Sequence, residues 1–474
     1  MGKKIAMVGA GSVVFCKMLM SDIMATPSLA GSEFALMSRT WPKLKNMEEF
    51  GKRMLKENGL DGDVWATIDR REAIEGADFV VVMVQVGGVD AFGIDYRVPL
   101  KYGVDQCVGD TMGPGGIFRG LRTIPVLLDI AWDMEELAKP GAIMLQYSNP
   151  MALNCLAIGK ASGIAFTGLC HGIQTTLQEM ATWLGIPKEE ITYTCGGTNH
   201  LDWFLTLKRG TEDLYPRLRE VMEKPEYYKA EKVRAEVFRH FGYFMTETTG
   251  HTSEYVPWFR KNRAAMELYC DEPGFGGETG AYFTWCKAVA DKYAGRNMLE
   301  FESTKLEERS VEYCSYIMEA VVTGRPFRFM GNVRNDGYIA NLPRGCCVEV
   351  PTFADENGIH PASIGELPPQ CAALNQTQVN VHTLAAEASL TGETEHIVHA
   401  MALDPLTGAV CTLKQIRDMA GEMLEAQREW LPQFEGKGIP AKPVISIPAG
   451  TVAVKAPPDP AQAILKRFIK LAEK

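Results

Sequence analysis

Cys170 and His171 stand side by side in GLCHGIQ (168–174), and another histidine, His200, follows in GGTNHLDW (196–203). A thiolate and an imidazole brought together suit a divalent transition ion. Cys170 and His200 each follow a short apolar run that reads as a strand, which places both at strand ends. With two evident protein ligands the ion keeps open positions, and an open site is a catalytic one that substrate hydroxyls complete. Two alternatives compete. A buried cysteine is commonly a small apolar filler, and Cys195, inside the strand pattern ITYTC, is a rival ligand.

Such residues need a sheet to position them. KKIAMVGAGSVVF (3–15) reads as a strand, a glycine turn and a helix start. Gly9 allows the turn and Gly11 the approach of a pyrophosphate. Ser12, Val13 and the following amides sit at the helix N-terminus, where phosphate is favoured. Val14 replaces the third glycine of the dinucleotide fingerprint. EFALMS (33–38), ADFVVVMVQ (77–85), GAIMLQYSNP (141–150) and GIAFTGLC (163–170) read as buried strands between helical segments. That alternation predicts an α/β fold with a parallel, doubly wound, Rossmann-like sheet. Ligands bind beyond the carboxyl ends of such strands. Gln85 in VQVGG, Asp110 and Thr111 in VGDTMGPGG, Asn149 before Pro150, and Cys170 all fall there. Taken singly, Asn-Pro and Gly-Pro-Gly-Gly are ordinary turn breakers.

The second strand should end in an acid for the ribose hydroxyls, but Ser38 and Arg39 stand there. Arg39 is expected either to meet the adenosine portion or to be an exposed loop arginine. NAD is the expected cofactor, with NADP left open.

At 474 residues the chain is too long for one ordinary core, so two packed lobes are expected, 1–200 and 201–474. A net charge of −10 argues against nucleic acid and anionic membranes as partners. The sequence lacks an apolar run near about 18 residues and opens without a signal-like segment. Its twelve cysteines form no CxxC pair. Reduced thiols and a cytoplasmic setting are expected.

From about residue 201 the pattern turns to amphipathic helices with a small mixed sheet, a mostly helical α+β lobe. Helices are expected in 211–241, 304–324 and 377–393, the last packing on the first lobe, and a strand and turn in CCVEVPTFADENGIHP. Cys346, Cys347 and His382 read as packing residues. SIPAGTVAVKAPPDP (446–460) reads as extended before a short final helix.

Taken in order, KIAMVGAGSVVF, VGDTMGPGGIFRGLRTIPVLLDIA, YSNPMA, GLCHGIQ, GGTNHLDWF, HFGYFMTETTGHTSEYVPWF, LPPQCAALNQTQVNVHTLAAEASLTG and ALDPLTGAV resemble glycoside hydrolase family 4, the NAD- and manganese-dependent glycosidases. That family stands apart from the two-carboxylate scheme. The resemblance runs from Lys3 to about residue 434. It implies oxidation of the sugar at C3 by NAD, removal of the C2 proton, elimination of the aglycone, addition of water at C1 and return of the hydride. It also implies Mn2+ or another divalent ion, a carbohydrate substrate and a homo-oligomer of two or four chains.

Carried over by position, Cys170 and His200 match the metal ligands, and Gly9, Gly11 and Ser12 match the phosphate turn. Asn149 matches a residue touching substrate and cofactor, and Asp110 is set among the catalytic residues. His171 falls where substrate is selected, and points to the branch acting on unphosphorylated α-sugars. It is also read as a brace for Cys170. Tyr243 in RHFGYFMTE is the expected base, with Tyr255 as runner-up; a tyrosine serves so only beside a cation that stabilises phenolate. His251 and Glu254 are placed within reach of the sugar.

Gly172 stands where the α-galactosidase branch usually has serine, which suggests room for a charged C6. Arg334 and Arg344 are then candidate partners, and Asn335 a further substrate contact. The leading expectation is an α-galactosidase-like enzyme. An α-glucuronidase, α-galacturonidase or α-glucosidase of the same family is the alternative. A lactate/malate-type dehydrogenase and a sensor that lost its chemistry are the rivals from other classes. Cys170 with His200 argues against the first, and the retained candidate ligands and tyrosine argue against the second.

Overall fold

The computed structural model describes residues 2–455 and 460–472. Six parallel strands form its centre: β1 (Lys4–Val8), β2 (Glu33–Met37), β3 (Asp63–Thr67), β4 (Phe79–Val82), β5 (Ile143–Gln146) and β6 (Ala165–Gly168). They lie in the order β3-β2-β1-β4-β5-β6, all paired in parallel. This is the doubly wound arrangement with its switch point between β1 and β4.

Side-chain alternation explains why both faces are covered. Ile5, Met7, Leu36, Val81 and Leu145 pack against helices Val13–Met24 and Trp41–Glu57. Ala6, Val8, Val80, Val82 and Met144 meet helix Gly113–Leu137 on the other face. Val80 and Val81 are fully buried, and each such side chain stabilises the fold by about 1.5–3 kcal/mol.

The sheet does not stop at β6. Antiparallel strands β7 (Ile191–Thr198), β8 (Leu201–Arg209), β9 (Glu212–Asp213), β10 (Phe244–Met245), β11 (Phe327–Arg334), β12 (Cys347–Asp355) and β13 (Gly358–Pro361) extend it. The order beyond β6 is β11-β12-β7-β8-β10, with β9 on β8 and β13 on β12. The join is narrow: Asn332 pairs with Gly168, and Glu349 with Gly197. A Cβ at Gly168 would fall 2.4 Å from Met151 Sδ and 2.9 Å from Asn332 Cβ, so only glycine lets the strands meet. Residue 200, where the two lobes were expected to divide, lies in the tight turn between β7 and β8.

The chain up to Ile439 makes one contact unit and the residues from Pro440 another. Helices Tyr215–Met222, Pro225–Ala230, Lys232–Phe241 and Pro369–Thr391 fall in the expected segments. The last packs on helices Gly113–Leu137 and Met151–Ala161. The 304–324 segment differs: only Cys314–Thr323 is helical. Its first half spends polar groups on neighbours instead. Ser310 donates from N and Oγ to Asp22, and Thr304 and Leu306 bond Glu57 and Asn58. Tertiary bonding overrides helical propensity there. Residues 451–455 carry no regular structure, residues 456–459 of the expected extended tract lie outside the described residues, and helix Pro460–Ala472 follows. Among the described residues no helix is long and apolar enough to cross a membrane.

His382 is 3 % exposed, with Nε2 unpartnered among the described residues. Burial lowers its pKa from 6.5 to about 4. The unfolded chain then takes up this proton while the folded chain does not, so stability falls as pH drops through that window. The loss expected by pH 4 is about 3 kcal/mol. Urea unfolding at pH 7 and 4.5 checks it: His382→Gln should flatten the pH slope, and an unchanged slope would contradict the assignment.

Candidate metal and dinucleotide site

Cys170 lies two residues beyond β6, His200 in the β7–β8 turn and Glu247 two residues beyond β10. Cys170 Sγ is 3.3 Å from His200 Nε2 and 4.0 Å from Glu247 Oε1, and His200 Nε2 is 4.0 Å from Glu247 Oε1. Ligand atoms of one tetrahedral ion, about 2.0–2.3 Å from it, stand at such separations. This trio is the one group of candidate metal ligands among the described residues. Its sulfur, nitrogen and oxygen donors suit a transition ion. His200 and Glu247 have φ of 67° and 68°, and no other described non-glycine residue has positive φ. Each such backbone costs on the order of 1–3 kcal/mol, and here both aim a ligand atom at one point.

Gly172 explains how Glu247 gets there. A Cβ at Gly172 would lie 1.4 Å from Glu247 Oε1. The expectation that this glycine opens space for a charged C6 is therefore corrected, because the space is taken by the Glu247 carboxylate. Arg334 and Arg344 are exposed, Arg334 pairing with Asp336 at 3.5 Å, so neither lines this cluster.

The surroundings orient His200. Thr111 Oγ1 donates to Asp110 Oδ1 at 2.9 Å and lies 3.1 Å from His200 Nδ1; Tyr255 Oη is 3.3 Å from the same nitrogen. Thr111 has one proton. Spending it on Asp110 makes its oxygen an acceptor for Nδ1–H, which leaves the Nε2 lone pair facing Cys170. Asp110 Oδ2 accepts from Asn149 Nδ2 at 3.1 Å, and Arg119 Nε donates to the Asn149 carbonyl at 3.2 Å. Burial pushes Asp110 up, but Arg119, His200 and His251 more than offset it, and the carboxyl lies below its ordinary value. Burial, then Glu247 and Glu349, push the Cys170 thiol well up. A bound divalent cation reverses that balance and favours thiolate. Burial lowers His251 to about 4, so it is a neutral imidazole at pH 7, with Nδ1 2.8 Å from Thr248 Oγ1 and its ring 5.3 Å from that of His200.

Glu254, expected to reach the sugar, does something else. Its carboxylate accepts N–H bonds from Cys107, Val108 and Gly109 at 2.8–3.0 Å and so clamps the loop that presents Asp110 and Thr111. Tyr243, the expected base, has an apolar neighbourhood. Its ring packs 6.2 Å from that of Tyr215, and among the described residues its hydroxyl makes no hydrogen bond. Tyr255 is fully buried with its hydroxyl 3.3 Å from His200 Nδ1, so it braces that imidazole. Asn335 is buried at the end of β11. Its amide donates to the carbonyls of Ile339, Leu342 and Pro343 and accepts from Gly337 and Ile339. That capacity is spent on its own loop, which corrects the expected substrate contact. Cys195 is buried in the apolar core on β7 and stays out of the cluster.

His171 caps the start of helix Gly172–Leu184, about half exposed, with Nδ1 2.9 Å from Glu312 Oε1. The Glu312 hydrogen bond is the main cause of its raised pKa. In Glu312→Gln the imidazole is expected to lose its proton at lower pH, read as a downward shift of the His171 midpoint by NMR. An unmoved midpoint would contradict the pairing.

The glycine turn lies at the carboxyl end of β1. Gly9 has φ 96°, and a Cβ there would meet the Met83 carbonyl at 2.6 Å; one at Gly11 would meet Ser38 Oγ at 2.9 Å. The Ser12 amide is not free, since it donates to Gly9 O. The amides of Gly11 and Val13 have no backbone partner among the described residues, and the first turn of helix Val13–Met24 carries no acid. Such a helix start receives phosphate. Arg39 is exposed beyond β2, and Gln85, exposed beyond β4, bonds Gly88 O at 3.4 Å.

Residues 4–186 match family 4 glycosyl hydrolase, and residues 195–407 match the family 4 glycosyl hydrolase C-terminal domain. The chain belongs to glycosyl hydrolase family 4. It is 40 % identical over 441 residues to an alpha-galactosidase of Rhizobium meliloti (strain 1021), covering 91 % of this chain and 89 % of the relative. It is 37 % identical to an alpha-galactosidase of Bacillus subtilis (strain 168), covering 91 % and 100 %. The fold superposes on the 6-phospho-beta glucosidase from Thermotoga maritima with a TM-score of 0.74 at 19 % identity, covering 90 % and 98 %; that structure holds manganese, NAD+ and glucose-6-phosphate. As a family 4 chain it is a glycosidase, not a lactate/malate-type dehydrogenase.

Glu247, Thr111 in its role toward His200, and the Glu312 partner of His171 were not evident in the sequence. The acid in MTETTGHT shares a segment with His251, which is the one signal that pointed near it.

Proposed function

We propose that this family 4 chain hydrolyses α-glycosides of unphosphorylated, galactose-type sugars, with NAD and a divalent ion such as Mn2+. The observation that carries the cofactor reading is the Cys170–His200–Glu247 cluster, whose Cys170 lies beyond the carboxyl end of β6 as the Gly9–Val13 turn lies beyond that of β1 in the same parallel sheet. The α-galactosidases of Rhizobium meliloti and Bacillus subtilis support the sugar.

The donor set fits a transition ion, and the turn fits a pyrophosphate, since the Gly11 and Val13 amides have no backbone partner among the described residues and the first turn of the following helix carries no acid. Cys170, His200 and Glu247 would hold the metal, and Gly9, Gly11 and Val13 the dinucleotide, with Gln85 and Asn149 flanking and Arg39 outside. When bound, NAD supplies a hydride acceptor for the sugar C3, and the ion a Lewis acid for the negative charge that develops at the ring oxygens. The rest falls to side chains. His251, neutral and beside His200, takes the C2 proton in place of Tyr243. Burial leaves it unprotonated at working pH, and the negative charges of Glu247 and Asp110, which act on it, would offset the positive charge it gains with the proton. Asp110 stays a carboxylate and fixes Asn149 and Thr111. His171, held by Glu312, faces the sugar as a hydrogen-bond donor and assists the leaving group.

A thiol ligand needs a reducing setting, which supports the cytoplasm. A dimer or tetramer is the assembly carried over from the family resemblance. The test is a panel of nitrophenyl α-glycosides with NAD, Mn2+ and a reductant, each then omitted. Release from the galactoside that needs both cofactors is expected. Release without them, or steady NADH formation without release, would overturn the proposal.

A further inference from the structure

The end of β2 is fastened to the phosphate turn. Gly9 N and Ala10 N both donate to Met37 O, at 2.9 and 3.0 Å. Ser38, the next residue, therefore stands against the turn. Its Oγ is 2.9 Å from where a Cβ at Gly11 would lie, and Lys43 Cβ is 3.9 Å from the same point. In a Rossmann-like sheet this strand end reads the 2′ position of the adenosine ribose. An acid there accepts from the 2′-hydroxyl of NAD and repels the 2′-phosphate of NADP.

Here no acid stands at that position. β2 ends at Met37 and is followed by Ser38, Arg39 and Thr40, and helix Trp41–Glu57 opens without an acid in its first turn. Arg39 and Lys43 are exposed, and among the described residues neither makes a hydrogen bond or an ion pair. The Ser38 hydroxyl has no partner among the described residues either. The acids beyond the neighbouring strand are used on their own loop. Met37 pairs with Thr67 at the end of β3, where Asp69 Oδ1 accepts from Arg71 N at 2.9 Å and Glu72 Oε2 from Thr67 Oγ1 at 2.6 Å.

Two unpaired cations and an unpartnered hydroxyl thus gather at the strand end that reads the 2′ position. A phosphate monoester suits them, since it carries a charge of about −1.5 to −2 near neutral pH and three acceptor oxygens. A guanidinium can bond two of those oxygens at once. A 2′-hydroxyl offers these cations no charge. Arg39 lies outside the pyrophosphate turn, which leaves it available for this second phosphate.

We propose that Ser38, Arg39 and Lys43 form a site for the 2′-phosphate of NADP, so that this chain binds NADP at least as tightly as NAD. This rests on the dinucleotide site of the proposed function. The 2′-phosphate selects the dinucleotide and takes no part in the redox step, because the nicotinamide is the same in both.

The test is fluorescence titration with NADPH and with NADH, in the absence of sugar, of the wild type, Arg39→Ala and Ser38→Asp. In the wild type the Kd for NADPH should be no larger than that for NADH. Arg39→Ala should weaken NADPH about tenfold, as expected for one lost charge-assisted contact, and NADH by less than about twofold. Ser38→Asp should turn the preference toward NADH, because it restores the acid. NADH binding retained in both variants shows that they fold. A wild-type Kd larger for NADPH than for NADH overturns the proposal. So does an Arg39→Ala variant that weakens both dinucleotides equally, because its guanidinium would then meet the adenosine they share, and so does a Ser38→Asp variant whose preference does not move. Binding of NADH alone leaves the dinucleotide site standing and sinks only this inference. Binding of neither sinks both.

Discussion

Replacing Cys170 by serine is expected to reduce Mn2+-dependent turnover by about a thousandfold or more while leaving NAD binding intact. The two sites share the carboxyl-end side of the parallel sheet but not residues. Cys170 follows β6, whereas the phosphate turn follows β1, with β5 and β4 between them. Serine keeps the size of the side chain but offers a hydroxyl that stays protonated, so the ion loses its soft anionic ligand. Fluorescence titration with NADH and a rate assay across Mn2+ concentrations check the two halves. Full Mn2+-dependent turnover in Cys170→Ser would remove the basis for the metal site.

Gly172→Ala should have a large effect on metal affinity and a small one on folding. The new Cβ would stand 1.4 Å from Glu247 Oε1. That atom is the far end of a flexible side chain, so it can swing away at little cost to stability, but only by leaving the cluster. Metal affinity should fall about 10–100-fold, the size found when the support of a ligand is removed. Glu247→Gln should fall by a similar factor, and the double variant by no more than either alone, since both remove one ligand. Additive losses, or a Gly172→Ala protein with normal Mn2+ affinity, would show that Glu247 is not a ligand.

The parallel half of the sheet was legible because its strands are continuous apolar runs that end in glycine, asparagine or cysteine. The meeting of Cys170 and His200 was legible because each follows within two residues of a strand end. Glu247 was not, since nothing in MTETTGHT reveals that a positive φ turns its carboxylate toward residues 47 and 77 positions earlier. Tyr243 is the converse case. Its distance from His200 along the chain suited a base, but Phe244 and Met245 pair with β8, and the preceding ring packs on Tyr215. Asn335 misled because a polar residue beside two arginines suggests a ligand contact, and only the loop carbonyls of 339–343 show where its amide is used. The segment 304–313 looked helical by period and was claimed by Asp22, Glu57 and Asn58.

The central claim is that a side chain beside this cluster removes the proton at C2 of the sugar and the leaving group departs by elimination. Turnover of a nitrophenyl α-galactoside in deuterium oxide, with NMR of the released sugar, tests it directly. The account predicts deuterium at C2 of the product, introduced during turnover and absent from galactose incubated alone with the enzyme. A product that keeps its original hydrogen at C2 throughout would contradict it and point to direct displacement at C1.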